Sequence, residues 1–291
     1  MKSRNSYKES ISDEQILNQS PKIKILQKEV EILADNYHVL YMSEFRSLGT
    51  INIWTHKNSL KKLRLPEKAA NRFTAICRIP GNKIFCYGGV KFDGSWSGMT
   101  FTIDSNNEIE IFESGNPCIQ ACCIYFDGCV YTIGGLTNQF KRFNLSLKMW
   151  QKRVECHSQR FSTGGQIQGF IIYSNLEDGI NIYDPYANTH QTVLSLPHSW
   201  KNVFVGSNNR TYCFQFYESI YESGFNNVFK WNNIGKCNLV LKDIFGCPTN
   251  FCNKIYFLNG DDVCEFDLGK KQIKVSFSFT WLGAYSECCT F

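Results

Sequence analysis

The chain has 291 residues and a net charge of +5, from 31 basic and 26 acidic side chains mixed along its length, so no block of charge offers a footprint for nucleic acid or an anionic membrane surface. Twenty-three Phe, 14 Tyr and 6 Trp against only 7 Pro favour strand, and no apolar window reaches the length of a membrane span or the core of a secretory signal. Fourteen cysteines lie mostly in apolar strand contexts such as Cys77, Cys86, Cys129, Cys213 and Cys264, where thiols pack as small hydrophobes, so a reduced cytoplasmic chain is expected rather than a disulfide scaffold.

Residues 1–20 are rich in Ser, Asn, Lys and Glu and are expected to be disordered. Ser20-Pro21 then reads as a helix start. Ile23, Leu26, Val30, Leu33, Tyr37 and Leu40 follow at alternating gaps of three and four, the stripe of a short amphipathic helix. Residues 1–36 are therefore read as a head and helix that packs on the following domain or supports weak self-association. Basic side chains gather between Lys57 and Lys68 around one predicted strand, the exposed edge of the first repeat.

From residue 37 one unit recurs. Its cleanest copy is Cys122–Glu155: the apolar run CCIYF, the hairpin signal Asp127-Gly128, the strand CVYTI ending at Gly134-Gly135, an alternating strand around Phe140 and Phe143, and a last strand near Trp150. Aligned on the residue before the glycine pair, the copies fall at Tyr41, Tyr87, Ile133, Tyr173, Phe214 and Leu258, with gaps of 46, 46, 40, 41 and 44. Both glycines survive only as Gly88-Gly89 and Gly134-Gly135. A second landmark is an apolar residue followed by Thr, Asp or Asn at the end of each third strand: Trp54-Thr55, Ile103-Asp104, Phe143-Asn144, Tyr183-Asp184, Trp231-Asn232 and Phe266-Asp267. Fourth strands read LKKLRL, NEIEIF, MWQKRV, QTVLSL, NLVLKD and KQIKVSF.

This repetition predicts an all-β fold, a six-bladed β-propeller of four-stranded antiparallel blades over 37–291, with blades at about 37–66, 72–115, 118–155, 160–196, 200–243 and 245–278. The first blade lacks a first strand, while AYSECCTF at 284–291 is like ACCIYF. The C-terminal strand is therefore expected to close blade one and remove the open sheet edges.

The order of apolar strand, turn, strand ending in Gly88-Gly89 or Gly134-Gly135, then Phe143 and Trp150 seven residues later resembles the kelch repeat, with Phe143 where that family usually has Tyr. The resemblance implies a non-catalytic protein-binding module. It also nominates Arg72 in NRFTA, Arg160 in QRFST and Lys201 at the corresponding place as partner-facing cations. Loops between second and third strands should share one face of the ring. The long ones, SEFRSLGT, KFDGSWSGM and YESIYESGFN, present Phe45, Arg46, Phe92, Trp96, Tyr221 and Phe225, residue types that dominate interface energetics. The expected partner is a protein or peptide, with neither nucleic acid nor membrane bound. The alternatives are a substrate-recognition adaptor for a ubiquitin ligase, or an enzyme acting on a carbohydrate or small molecule at the central channel.

Chemistry-bearing patterns are sparse. There is no CxxC pair, the doublets Cys122-Cys123 and Cys288-Cys289 send alternate residues to opposite sheet faces, and His38, His56, His157, His190 and His198 are dispersed, so no metal is expected. Asp93-Gly94-Ser95-Trp96 approaches a glycosidase-propeller turn motif with the wrong spacing. No phosphate loop or nucleophile elbow occurs, and no cofactor is expected.

Overall fold

A computed structural model describes residues 74–278 apart from 92, 105, 107, 120, 136–138, 156–162, 176–178, 194–200, 207, 216–218, 225–229, 241–247 and 261, and the strand backbones at 38–42, 48–52, 57–61 and 288–290. The strands in chain order are β1–β3 (His38–Met42, Leu48–Asn52, Lys57–Lys61), β4–β7 (Ala75–Ile79, Lys83–Tyr87, Thr100–Asp104, Ile109–Phe112) and β8–β11 (Ala121–Phe126, Cys129–Gly134, Gln139–Asn144, Met149–Lys152). Next come β12–β15 (Gly164–Ile167, Phe170–Asn175, Gly179–Asp184, Thr189–Val193) and β16–β19 (Lys201–Val205, Arg210–Gln215, Ser219–Gly224, Asn232–Lys236). The last are β20–β23 (Thr249–Phe251, Lys254–Asn259, Asp262–Asp267, Gln272–Ser278) and β24 (Cys288–Thr290).

Five blades are runs of four consecutive antiparallel strands, β4–β7, β8–β11, β12–β15, β16–β19 and β20–β23. A further sheet is composite, in the order β24-β1-β2-β3, with Val39 opposite Thr290 and Tyr41 opposite Cys288. The first strands of neighbouring blades stand side by side: β24 touches β4 and β20, β4 touches β8, β8 touches β12, and β12 touches β16. Asn250 Nδ2 of β20 donates to the Val205 carbonyl of β16 at 2.7 Å, bridging the remaining seam. The arrangement is an all-β propeller of four-stranded antiparallel blades around a channel.

Local chemistry explains the repeated turns. Several first-to-second turns have two central residues at positive φ, as at Asp127 (44°) and Gly128 (72°) or Cys252 (46°) and Asn253 (60°), the backbone that matches strand twist in two-residue hairpins. Four third-to-fourth turns are closed by the polar half of the second landmark, whereas Asn232, expected at the end of a third strand, opens the fourth strand β19. Asp104 Oδ1 accepts from Asn106 N and Glu108 N, Asn144 Oδ1 from Leu147 N, Asp184 Oδ1 from Tyr186 N and Ala187 N, and Asp267 Oδ1 from Gly269 N and Lys270 N. At Gly88 (φ 72°) an added Cβ would lie 2.4 Å from the Cys118 carbonyl, so both backbone angle and space demand glycine. Gly89, Gly134 and Gly135 also have positive φ. Where the fourth repeat carries Ser174 instead, its hydroxyl meets Thr163 Oγ1 at 3.0 Å and the loop closes through the side chain.

The core sits between blades. Phe85, Tyr87, Cys123, Val130 and Phe143 share one seam, Ile133, Phe140, Tyr173 and Tyr183 the next, and Phe204, Phe214, Phe257 and Phe266 another. Apolar side chains on both faces of β5, β9, β17 and β21 are thus removed from water.

The structure departs from the sequence expectation in three places. YESIYESGFN is not a loop between second and third strands: Ser219–Gly224 is the third strand itself, and the fourth strand is Asn232–Lys236 rather than NLVLKD. The polar pair Glu222 and Ser223 masked this strand, since both are buried and only tertiary partners make that affordable. In SEFRSLGT, Leu48–Thr50 already belongs to β2, paired with β1. Leu40, the last residue of the helical stripe, lies in β1, where pairing with Thr50 and Cys289 overrides helical periodicity. The rest of the expected head and helix lies outside the described residues, and no helix occurs among those described.

Candidate functional site

Two ends of the channel carry distinct groups. At the end where second strands finish, β5 runs into Gly88-Gly89 and then a small hairpin over 90–96 that links it to β6. The backbone fixes its base: Gly88 N donates to the Met99 carbonyl at 3.1 Å, Gly89 N to Cys118 O at 2.6 Å, Ser97 N to Gly89 O at 2.8 Å, and Cys118 N to Ser97 O at 3.0 Å. Lys91 N donates to Ser95 O at 2.8 Å, and Val90 bridges to Trp96. At the tip Asp93 Oδ1 accepts from Ser95 Oγ at 2.6 Å and Ser95 N at 2.8 Å. These bonds from Ser95 hold the Asp93 carboxyl below the usual carboxylate range. The result is a cross-braced loop that presents Trp96 with 40% of its surface exposed.

Of the residues singled out from sequence, Trp96 is presented as expected of a loop aromatic. Tyr221 is not: it lies within β18, opposite Cys213 and Asn233, and packs on the cluster of Ile180, Val203 and Val205. Its apparent loop setting came from the missed strand. Lys201 opens β16, paired with Gln215, at the same end of the channel as the hairpin. Phe45, Arg46, Arg72, Phe92, Arg160 and Phe225 lie outside the described residues.

Phe143 and Trp150 have structural roles. Phe143 is fully buried, and Trp150 leaves its own blade to stack on Tyr87 of the preceding one, ring centroids 4.4 Å apart. The Trp150 indole N–H donates to Thr100 Oγ1 at 3.0 Å. Gly115, whose Cβ would lie 2.9 Å from both that indole nitrogen and Tyr87, makes room for the pair.

The opposite end, where first strands turn into second strands, opens into a cavity of about 250 Å³. Its rim is a ring of equivalent positions, each two residues before the first-to-second turn: Arg78, Tyr125, Gln166, Val205 and Asn250. Two members are committed elsewhere, since the Tyr125 hydroxyl accepts from Gly128 N at 3.2 Å and Asn250 Nδ2 donates to Val205 O. The collar lies at the ends of first strands and not in the loops where the sequence places its candidate residues. The signal was present in the residue that precedes the last apolar position of each first strand, as in CRIPG, IYFDG and GQIQG.

Among the described residues no group of three or more His, Cys, Asp or Glu side chains converges to hold a metal ion. No described helix is long and apolar enough to cross a membrane.

A β-propeller with a braced aromatic hairpin at one channel mouth and a polar collar at the other is the class that this geometry defines. No family model matches the sequence, and no curated protein matches it either.

Proposed function

We propose that this chain is a kelch-type protein-interaction module that binds a protein or peptide partner through the face where second strands end. The observation that carries this reading is the 90–96 hairpin. Its backbone is fixed before any partner arrives, and it holds a large amphipathic ring in water, so little ordering entropy is lost on contact. The composite β24-β1-β2-β3 sheet is read as the sixth blade, which gives the face a closed rim. The proposed role is binding and includes no catalytic step. The cytoplasm is the compartment assigned, since every described cysteine is a free thiol and all but Cys252 are buried.

Proximity labelling in the source cells, comparing the intact chain with Trp96→Ala after both are shown to fold, tests the reading. Loss of a discrete set of neighbours is the expected result. An unchanged neighbour set would remove the hairpin face from the proposal.

A further inference from the structure

We propose that the collar at the first-to-second-turn end of the channel is a binding site for a small organic oxyanion, a carboxylate or phosphate compound. This mouth lies opposite the hairpin face, so the inference stands apart from the partner-binding reading.

Charge is the first observation. Arg78 is exposed at the rim and takes part in none of the described ion pairs. The hydrogen bond described for its guanidinium is a long one, 3.5 Å from Nη2 to Asn82 Oδ1. The described cavity lining includes no Asp or Glu, so the guanidinium sets the sign of the field there. A cleft with walls of low dielectric focuses such a field towards its mouth. The fork of Arg N–H donors matches the paired oxygens of carboxylate and phosphate.

Neighbouring groups supply the rest of the selectivity. Gln166 stands on the same ring with an exposed carboxamide able to donate to an oxyanion. Asn250 gives its N–H₂ to Val205 O, which orients its Oδ1 as an acceptor for a ligand hydroxyl. The wall of β12 between them is Gly164-Gly165, so backbone rather than side chain borders the space. A cavity near 250 Å³ suits a small metabolite and is too small for a folded chain.

The test is isothermal titration calorimetry on the full chain in chloride buffer, with inorganic phosphate in one arm and succinate in the other. Saturable one-site binding of at least one anion is expected, and the arm that responds tells phosphate from carboxylate. Arg78→Gln should weaken it by about tenfold or more, the loss of a charge-assisted contact. Arg78→Lys, which keeps the charge, should weaken it less than Arg78→Gln. Trp96→Ala should bind the anion as the natural chain does, which separates this site from the hairpin. Absence of saturable binding in both arms overturns the proposal, and so does Arg78→Gln binding as tightly as the natural chain.

Discussion

The indole nitrogen of Trp150 donates to the hydroxyl of Thr100 at 3.0 Å across the seam between two blades. Around that bond the same indole packs edge-on to Phe85 and Phe143, at 6.2 and 5.3 Å between centroids, and tilts against Tyr87. The fourth strand of one blade is thus fastened to the second and third strands of its neighbour.

Trp150→Ala should therefore destabilise the whole propeller, by about 3 kcal/mol, because it removes a large ring and leaves a void between sheets. Trp150→Phe should recover part of the loss while leaving Thr100 without its donor. Urea unfolding followed by fluorescence and circular dichroism measures both, and an alanine variant as stable as the natural chain would refute the role.

Glycine requirements should differ sharply between two positions with the same sign of φ. Gly88→Ala drives a methyl against the Cys118 carbonyl, whereas Gly94→Ala meets nothing within 4 Å. At Gly94 only the left-handed backbone (φ 81°) resists, so a cost of about 1 kcal/mol is expected there. At Gly88 the loss should be at least twice as large, since the clash adds to it. Thermal melts of the two variants side by side settle the comparison.

Acid should loosen the seam between the last two blades through Glu222. Burial alone would raise its carboxyl, but hydrogen bonds from Lys271 and Tyr212, with the charges of Lys271 and Arg210, outweigh it and leave the group below its ordinary value. A depressed folded-state value contributes stability above the unfolded carboxyl near about 4.3, and that contribution fades as pH falls through the folded value. Lys271 also lies 4.7 Å from the Tyr212 ring centroid, so the cluster joins turn, strand and ring. Glu222→Gln should cost about 2 kcal/mol at neutral pH, with the gap to the natural chain narrowing below pH 4. Denaturant midpoints across pH 3–7 would show a constant gap if the cluster were inert.

Deleting residues 288–291 removes β24 and bares the edge of β1, whose Val39, Leu40 and Tyr41 are paired to it. The variant should melt earlier and self-associate as concentration rises, because an unpaired edge is a template for another chain. Light scattering during a thermal ramp reads both effects.

Legibility in the sequence followed the range of the forces. Turn signals such as Asp127-Gly128 and the Asp104, Asn144, Asp184 and Asp267 caps act within a few residues and could be read directly. The apolar run in ACCIYF reported a buried inner strand in the same way. β18 was illegible because Glu222 is made tolerable by Lys271, 49 residues away, and no local pattern announces that pairing. Trp96 could be read as presented because Gly94 and Asp93 mark a tip. The collar is marked by register alone, since Arg78, Gln166 and Asn250 share a position near the end of a first strand and no residue type.

The composite sheet also ties this fold to the order of its own synthesis. β1 emerges from the ribosome about 250 residues before its partner β24. At roughly 5–20 residues per second, that strand waits on the order of tens of seconds with one edge unsatisfied. Interior sheets complete their pairing as they are made, whereas the composite sheet waits for β24, so an interrupted translation product would be marked by an exposed strand that a quality-control chaperone can recognise.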